Sequence, residues 1–278
     1  MISLKTICGA TVLSVMALTA AKADELADIK AKGTLVCGTM GTFEPFSFQD
    51  PKTRETVGYE IDLCQKVADA IGVKLKLKLL AVEARIPELT QGRVDILSAA
   101  MGYSDVRAKQ IDYSLTSFVS RQMFMTKAGS GINKIADLKT DKISAPKGSS
   151  SEKYVRALLP DATLLTFQDP PSAFLALQQS KVKALILSEL ALKQFQAQAG
   201  DGLEFIKEPA AIEYWGLTVR KGEPALLAVA NKTLRDLEAS GEAQKIFDKW
   251  IGKDSPYKLE RTFTLDKPVR NPVLAEVK

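Results

Sequence analysis

Segments that favour strands alternate with segments that favour helices along most of this chain. A buried strand is predicted over 34–40, and the helix that follows it ends at Gly72. The apolar residues of this helix share one face: Ile61, Cys64, Val67, Ala68 and Ile71. The same order of strand and helix returns between 122 and 187. Because strands joined through helices pair in parallel, the chain is predicted to be an α/β protein with a mostly parallel sheet.

The alternation falls into two halves of roughly 100 residues each, which predicts two lobes with a cleft between them. Ligands of open α/β sheets bind outside the carboxyl ends of the strands, so polar residues at strand ends are the first candidates for a site. Residues 253–278 contain three prolines and are predicted to form an irregular tail, either packed on the surface or loose.

The segment 1–23 has the layout of a secretory signal peptide. Lys5 precedes an apolar run from Ile7 to Ala21, and Ala21-Lys22-Ala23 offers the small residues that a signal peptidase requires. An N-terminal membrane anchor is the alternative, but the run of about 15 residues is shorter than the ~20 that span a bilayer. We therefore expect cleavage after Ala23 and export of the remaining chain as a soluble protein.

The most restrictive feature of the composition is that the chain has no histidine. This excludes a Ser-His-Asp triad, a Cys-His catalytic pair and every zinc site that needs a histidine ligand. The 38 Lys and Arg residues against 33 Asp and Glu residues give a formal charge of +5, without a basic run. We therefore expect no nucleic-acid partner, no metal and no cofactor.

The cysteines leave two alternatives open. Cys8 lies in the predicted signal peptide, whereas Cys37 is in a predicted strand and Cys64 is on the next helix. In an oxidising compartment Cys37 and Cys64 can form a disulfide, or they can remain two buried free thiols.

Five groups of residues carry a resemblance to a known family. They are Gly38 with Pro45-Phe46-Ser47-Phe48; Gly58-Tyr59-Glu60-Ile61-Asp62; Arg85-Ile86-Pro87-Glu88-Leu89 with Gly92-Arg93-Val94-Asp95; Ser104-Asp105-Val106-Arg107 with Asp112-Tyr113-Ser114; and Lys147-Gly148-Ser149-Ser150. In this order and spacing, over about residues 26–251, the chain resembles the bacterial periplasmic solute-binding proteins (family 3) that deliver polar amino acids to ABC importers. Each group alone is weak evidence for the family, whereas the five together are specific to it.

The resemblance implies a two-lobed periplasmic-binding-protein fold in which two crossing strands join two α/β lobes. We expect lobe 1 to comprise residues 24–121 and 215–252, and lobe 2 residues 122–214. A periplasmic, non-enzymatic receptor of this kind binds a polar amino acid, in this chain an acidic one if Arg85 faces the cleft. It closes by a hinge motion and docks on a membrane permease, here as a monomer.

Arg107 is the residue that the resemblance assigns to the α-carboxylate of the ligand. A guanidinium binds a carboxylate through two parallel hydrogen bonds, whereas a surface arginine on a short helix is the alternative on spacing alone. Ala100 and Gly102 match positions that contact the carboxylate and the amino group. Ser or Thr is usual at the second position, so Gly102 departs from the family and keeps only its backbone N–H as a donor.

Three further elements of the site follow from the resemblance. Gly148, Ser149 and Ser150 precede a predicted helix, so we expect their amides and hydroxyls both to cap it and to bind an anion. Phe43 matches an aromatic residue that covers the ligand's side chain, with core packing as the alternative. Arg85 matches a position that reaches a side-chain carboxylate in relatives that bind acidic amino acids, with a solvent-facing arginine as the alternative.

The acid that holds the ligand's ammonium group is not identified by the resemblance. The family's aspartate aligns with Pro171, and Asp169 and Glu189 are the candidates. Either acid could also serve as the general acid of an exported dehydratase of prephenate-like acids, the alternative function on the same fold. Which amino acid is bound therefore stays open.

Overall fold

Two β-sheets with helices packed on them form the part of the chain that the computed structural model describes, residues 24–277. The predicted signal peptide over 1–23 and its cleavage site lie outside the described residues. The strands are β1 Thr34–Thr39, β2 Thr42–Phe43, β3 Ser47–Gln49, β4 Thr56–Val57, β5 Lys74–Leu79, β6 Ile96–Leu97, β7 Ile111–Lys127, β8 Lys142–Pro146, β9 Thr163–Phe167, β10 Ala184–Ser188, β11 Leu203–Phe205, β12 Ala211–Arg220 and β13 Val273–Leu274. The helices are α1 Glu25–Lys32, α2 Tyr59–Ile71, α3 Arg85–Thr90, α4 Asp105–Ala108, α5 Ser150–Leu158, α6 Pro170–Gln178, α7 Glu189–Ala199, α8 Pro224–Ala239 and α9 Glu242–Trp250. Within 24–277, every helix is too short or too polar to cross a bilayer.

The larger sheet runs through both lobes. Its strands are ordered β5-β1-β6-β12-β7-β10-β8-β9, with β11 added to β7 and β13 added to β12. On one side β1 pairs in parallel with β5 and β6, and on the other β8 pairs in parallel with β9 and β10. These two parallel parts confirm the two-lobed α/β fold that the alternation of strands and helices predicts.

Two antiparallel strands, β7 and β12, connect the lobes. They pair from Arg220 opposite Ile111 to Ala211 opposite Gln122, with register shifts on both sides of Gly216. Such an irregularity interrupts the ladder and lets the paired strands bend. The strand predicted to begin at 122 is the end of the 17-residue β7. The predicted lobe boundaries, 121/122 and 214/215, fall within these two strands.

Short polar side chains set the beginnings of the helices of lobe 2. Ser149, Asp169 and Ser188 each accept a hydrogen bond from a backbone N–H in the first turn of α5, α6 and α7, respectively. Pro170 is the first residue of α6, where its missing N–H costs no hydrogen bond. These caps fix where the strands end and the helices start, and thereby place the polar residues that follow β8, β9 and β10.

An aromatic cluster packs the crossing strands onto lobe 1. The ring centroid of Phe46 lies 4.8 Å from that of Trp215 and 4.9 Å from that of Phe118. Phe43 stacks on Phe46 at 5.3 Å. All four rings are buried, so the cluster holds the middle of β7 and β12 in a fixed position beside the first loop of lobe 1.

The C-terminal tail is packed and passes from lobe 1 to lobe 2. At the lobe 1 end Arg261 pairs with Glu238 at 2.6 Å, and Leu265 is fully buried. In the middle Phe263 lies 5.1 Å from Phe118 between ring centroids. At the lobe 2 end β13 pairs with the first residues of β12. The tail is therefore a third connection between the lobes, a role that its short, proline-containing sequence does not reveal.

Cys37 of β1 and Cys64 of α2 form a disulfide, and both residues are fully buried. The bond joins positions 27 residues apart in the sequence. Of the two alternatives that the sequence leaves open, the structure has the bridge, which ties α2 to the sheet of lobe 1.

Candidate functional site

A cavity, here called the interlobe cavity, lies between the two lobes, and its ≈ 360 Å³ of empty space includes the opening to solvent. The residues that line it are Met40, Phe43, Val82, Arg85 and Ala100 of lobe 1, Gln122, Pro146, Ser149, Ser150, Ser151, Pro170, Leu187 and Ser188 of lobe 2, and Glu213 and Trp215 of β12. The charged members of this set are Arg85 and Glu213. The wall of the cavity thus carries one guanidinium and one carboxylate among apolar and hydroxyl side chains.

The interlobe cavity lies at the carboxyl ends of the parallel strands. In lobe 1, Met40 follows β1 and Ala100 follows β6. In lobe 2, Ser149 follows β8, Pro170 follows β9 and Ser188 ends β10. This is where α/β sheets bind ligands, because the strand-to-helix loops diverge there and leave a crevice.

Arg85 is buried at the start of α3 rather than facing solvent, with 3% of its surface exposed. Its Nε donates to the carbonyl of Val82 at 2.7 Å, and its Nη1 donates to the carbonyls of Ala99 and Ala100. Within residues 24–277 its Nη2 has no acceptor. Burial lowers the pKa of Arg85 to about 9, and repulsion from Arg107 acts in the same direction. The side chain is therefore still a cation at neutral pH, with one nitrogen free for a ligand.

Arg107 is buried between the lobes and ties them together. Its Nη1 donates to the carbonyl of Gly102 in lobe 1 and to Ser150 Oγ in lobe 2, both at 2.9 Å. Its Nη2 donates to the carbonyl of Gly148 at 3.1 Å. Arg107 does not itself line the interlobe cavity, but its hydrogen-bond partner Ser150 does.

Two further contacts cross the mouth of the cleft. Lys147 Nζ of lobe 2 lies 2.7 Å from Glu83 Oε2 of lobe 1. Gln194 Nε2 of lobe 2 donates to Glu44 Oε2 of lobe 1 at 3.1 Å. Together with the bonds of Arg107, these contacts define a closed arrangement of the lobes.

Gly148 and the two serines that follow it are expected to cap α5 and to bind an anion, and some of their polar groups are bonded to the protein instead. Ser149 caps α5, and Ser150 accepts from Arg107. The N–H of Gly148 donates to Glu152 Oε2 at 2.8 Å, so a protein carboxylate already occupies that donor. Gly148 has φ 72°, and a Cβ there would lie 2.9 Å from Glu83 Cα. Glycine is therefore required at 148 for the lobes to meet.

The backbone groups of Ala100 and Gly102 are bonded within the protein. The N–H of Ala100 donates to Glu60 Oε1 at 2.6 Å, and that of Gly102 donates to the carbonyl of Ala100. Glu60 is 4% exposed, and burial raises its pKa to about 7. In this arrangement the two backbone donors predicted to contact the ligand face protein acceptors.

Glu213 is the carboxylate of the interlobe cavity. It lies on β12 and is 2% exposed. Its Oε1 accepts from Trp215 Nε1 at 2.6 Å, and its Oε2 accepts from the hydroxyl of Tyr154 at 2.8 Å. Burial raises the pKa of Glu213, while the hydrogen bond from Tyr154 and the charge of Arg107 oppose the shift.

The comparison with protein families agrees with this geometry. The model of the bacterial extracellular solute-binding proteins, family 3, matches residues 35–253. The chain belongs to this family. The match ends at the start of the C-terminal tail, so the third connection between the lobes lies beyond it.

Relatives of this family 3 protein are named as amino-acid-binding proteins. An ABC transporter glutamine-binding protein of Bacillus subtilis is 31% identical over 237 residues, covering 84% of this chain and 86% of the relative. A glutamate/aspartate import solute-binding protein of Escherichia coli is 28% identical over 285 residues, covering 94% of both chains. An ancestral arginine-binding protein, solved with arginine bound, is 32% identical with a TM-score of 0.75, covering 79% of this chain and 98% of the other.

The two acids considered for the ammonium group do not line the interlobe cavity of the family 3 protein. Asp169 caps α6 and accepts from the N–H of Ser172 at 2.8 Å. Glu189 lies 3.3 Å from Arg121 Nη1 and 3.2 Å from Lys193 Nζ, in a separate groove. Both carboxylates already have partners outside the cavity.

Sequence reasoning missed Glu213, Gln122 and Trp215, all of which line the interlobe cavity. All three lie on the crossing strands, which the resemblance identifies as connections between the lobes and not as parts of the cavity wall. A signal was present for Glu213: it is the one charged residue within the otherwise apolar or neutral segment 211–219. A charge in the middle of a buried strand is costly unless the site uses it.

Proposed function

We propose that this chain is the substrate-binding component of an amino-acid ABC importer. It captures a polar amino acid in the interlobe cavity and closes by a hinge motion of β7 and β12. The observation that supports this most strongly is the cavity between the two lobes, whose wall holds the guanidinium of Arg85 and the carboxylate of Glu213. A zwitterion matches such a wall, because each charge that loses water meets an opposite charge.

We propose an acidic amino acid as the substrate. Arg85 lines the interlobe cavity, and its Nη2 has no acceptor within residues 24–277, while Arg107 adds a second guanidinium next to Ser150. Two buried cations that repel each other are stabilised by a ligand with an additional negative charge. The glutamate/aspartate import relative, which covers 94% of this chain, supports the same choice.

The roles of the individual residues are proposed accordingly. Arg107 and Ser150 hold the α-carboxylate when it enters next to them, and Arg85 holds the side-chain carboxylate. Phe43 packs against the aliphatic part of the ligand, since its ring lines the interlobe cavity while it stacks on Phe46. Ser149 contributes its hydroxyl at the start of α5.

We also propose the cellular setting of this receptor. The signal peptide over 1–23 is removed after Ala23, and the chain works in the periplasm as a monomer that docks on a membrane permease. Intact-mass measurement of the exported protein tests the cleavage site, and light scattering tests the monomer. Stimulation of ATP hydrolysis by the cognate transporter in vesicles tests the partner.

Isothermal titration calorimetry of the purified protein against the twenty standard L-amino acids tests the binding function. We expect dissociation constants in the micromolar range or below for one acidic amino acid. If no amino acid binds with a dissociation constant below about 1 mM, which corresponds to about −4 kcal/mol, the proposal is wrong. Mass spectrometry of small molecules released on denaturation provides an independent identification.

An exported dehydratase of prephenate-like acids is the alternative function. Such an enzyme needs a positioned carboxylic acid in the site. Asp169 and Glu189 do not line the interlobe cavity, so Glu213, whose pKa burial raises, is the acid that this alternative would use. Incubation with prephenate and detection of phenylpyruvate by its absorbance distinguishes the two functions. We expect no conversion above the spontaneous rate.

A further inference from the structure

We propose that Glu213 binds the ammonium group of the ligand, a role that neither Asp169 nor Glu189 fills. This inference rests on the proposed function, and it specifies the chemical class of the substrate. The ligand is an amino acid with a free, protonated α-amino group, and its des-amino counterpart is rejected.

Glu213 makes no direct ion pair with another residue of the part of the chain that the structure describes. Its oxygens accept hydrogen bonds from Tyr154 and Trp215, which are both neutral donors. Within the described part of the chain no Lys or Arg nitrogen lies within 4.0 Å of this carboxylate. The charge of Arg107 offsets part of the desolvation penalty of this carboxylate, and a ligand cation in direct contact offsets more of it.

Gly102 leaves space for this carboxylate. A Cβ at position 102 would lie 2.2 Å from Glu213 Oε1 and 2.9 Å from Ser150 Oγ. Any side chain larger than glycine would therefore push Glu213 out of its place. Glycine at 102, where Ser or Thr is expected, thus leaves the space that Glu213 occupies at the cavity wall.

Glu213 has a fixed position on β12. This strand belongs to both lobes, and Trp215 on the same strand is fixed by the aromatic cluster with Phe46 and Phe118. The donor Tyr154 comes from α5 of lobe 2. The Tyr154 hydroxyl, which donates to Glu213 at 2.8 Å, fixes the orientation of the carboxylate at the cavity wall.

The experiment combines a change in the protein with a change in the ligand. Four matched pairs are titrated: L-glutamate with glutarate, L-glutamine with glutaramate, L-arginine with 5-guanidinopentanoate, and L-cystine with dithiodipropionate. The first member of each pair has the α-ammonium group and the second lacks it. We expect the wild type to bind at least one amino acid about 100-fold more tightly than its partner.

The variant Glu213→Gln keeps the size of the side chain and removes the charge. We expect it to bind the same amino acid about 100-fold more weakly and to lose most of the discrimination between the members of the pair. Glu242→Gln on the outer helix α9 is the matched control and should leave both affinities unchanged. Urea unfolding shows whether each variant is folded, and Glu213→Ala replaces Glu213→Gln if the latter is not.

Each outcome decides the matter. If the wild type binds neither a member of the four pairs nor any of the twenty standard L-amino acids with a dissociation constant below about 1 mM, the proposed function fails and this inference fails with it. If it binds an amino acid outside the four pairs, that amino acid and its des-amino counterpart form the pair that is compared. If the wild type binds an amino acid and its des-amino partner equally, or if Glu213→Gln discriminates as the wild type does, only this inference is overturned. The same holds if Asp169→Asn or Glu189→Gln abolishes the discrimination while Glu213→Gln preserves it.

Discussion

Replacement of Arg107 by alanine is expected to weaken ligand binding through the loss of lobe closure. The substitution removes hydrogen bonds to Gly102, Ser150 and Gly148, and the last two cross the cleft. A hydrogen bond that involves a charged group contributes about 1.5–3 kcal/mol, so the two crossing bonds stabilise the closed state by about 3–6 kcal/mol. Because they form only on closure, the affinity should fall by about 10²- to 10⁴-fold.

Calorimetry with L-glutamate measures the loss of affinity, and small-angle scattering with and without L-glutamate measures closure as a decrease in the radius of gyration. Arg107→Lys retains the charge but has one donor nitrogen, so we expect an intermediate affinity. Arg93→Ala is the matched control, because Arg93 is 57% exposed in its pair with Glu88 and such surface pairs contribute little. If Arg107→Ala binds and closes as the wild type does, Arg107 does not hold the lobes together and our reading of the cleft is incorrect.

Three further predictions concern stability. Loss of the Cys37–Cys64 bridge in a double alanine variant should lower the free energy of unfolding by about 3.5 kcal/mol in urea; an unchanged midpoint would contradict the bridge. Gly102→Ala should cost about 1–3 kcal/mol through the clash with Glu213, and additional replacement of Glu213 by alanine should restore part of it; additive losses would argue against the clash. Burial raises the pKa of Glu60 to about 7 from its ordinary value of 4.5, so the folded state binds more protons between these values, and stability should fall as the pH rises through this window. Glu60→Gln should flatten that part of the pH profile, and an unaltered slope would refute the assignment.

The fold could be predicted from the sequence because its signals are local. The helical spacing of apolar residues before Gly72 and the repeated alternation with strands depend on neighbours in the chain, and both are present in the structure. Phe43 and Arg85, which the resemblance to family 3 names, both line the interlobe cavity, and their contacts with a ligand stay predictions.

The acid proposed to bind the ligand's ammonium group could not be identified from local signals in the sequence. Asp169 is followed by two prolines, which is the pattern of a helix cap, and Glu189 stands four residues before Lys193, which favours an ion pair on a helix. These local signals already pointed away from a ligand. The position of Glu213 depends instead on the pairing of β12 with β7 and on the space at Gly102, neither of which is readable from a single strand.

A gene shortened to the limits of the family match would end at residue 253 and omit the tail. Such a protein would expose the aromatic surface that Phe263 covers and would leave the edge of β12 without the partner it has in β13. An uncovered strand edge beside an apolar surface can form hydrogen bonds with a strand of another molecule, so a truncated preparation should self-associate. The boundary suggested by homology is thus about 20 residues short of the physical end of the domain, which lies where β13 finishes at Leu274.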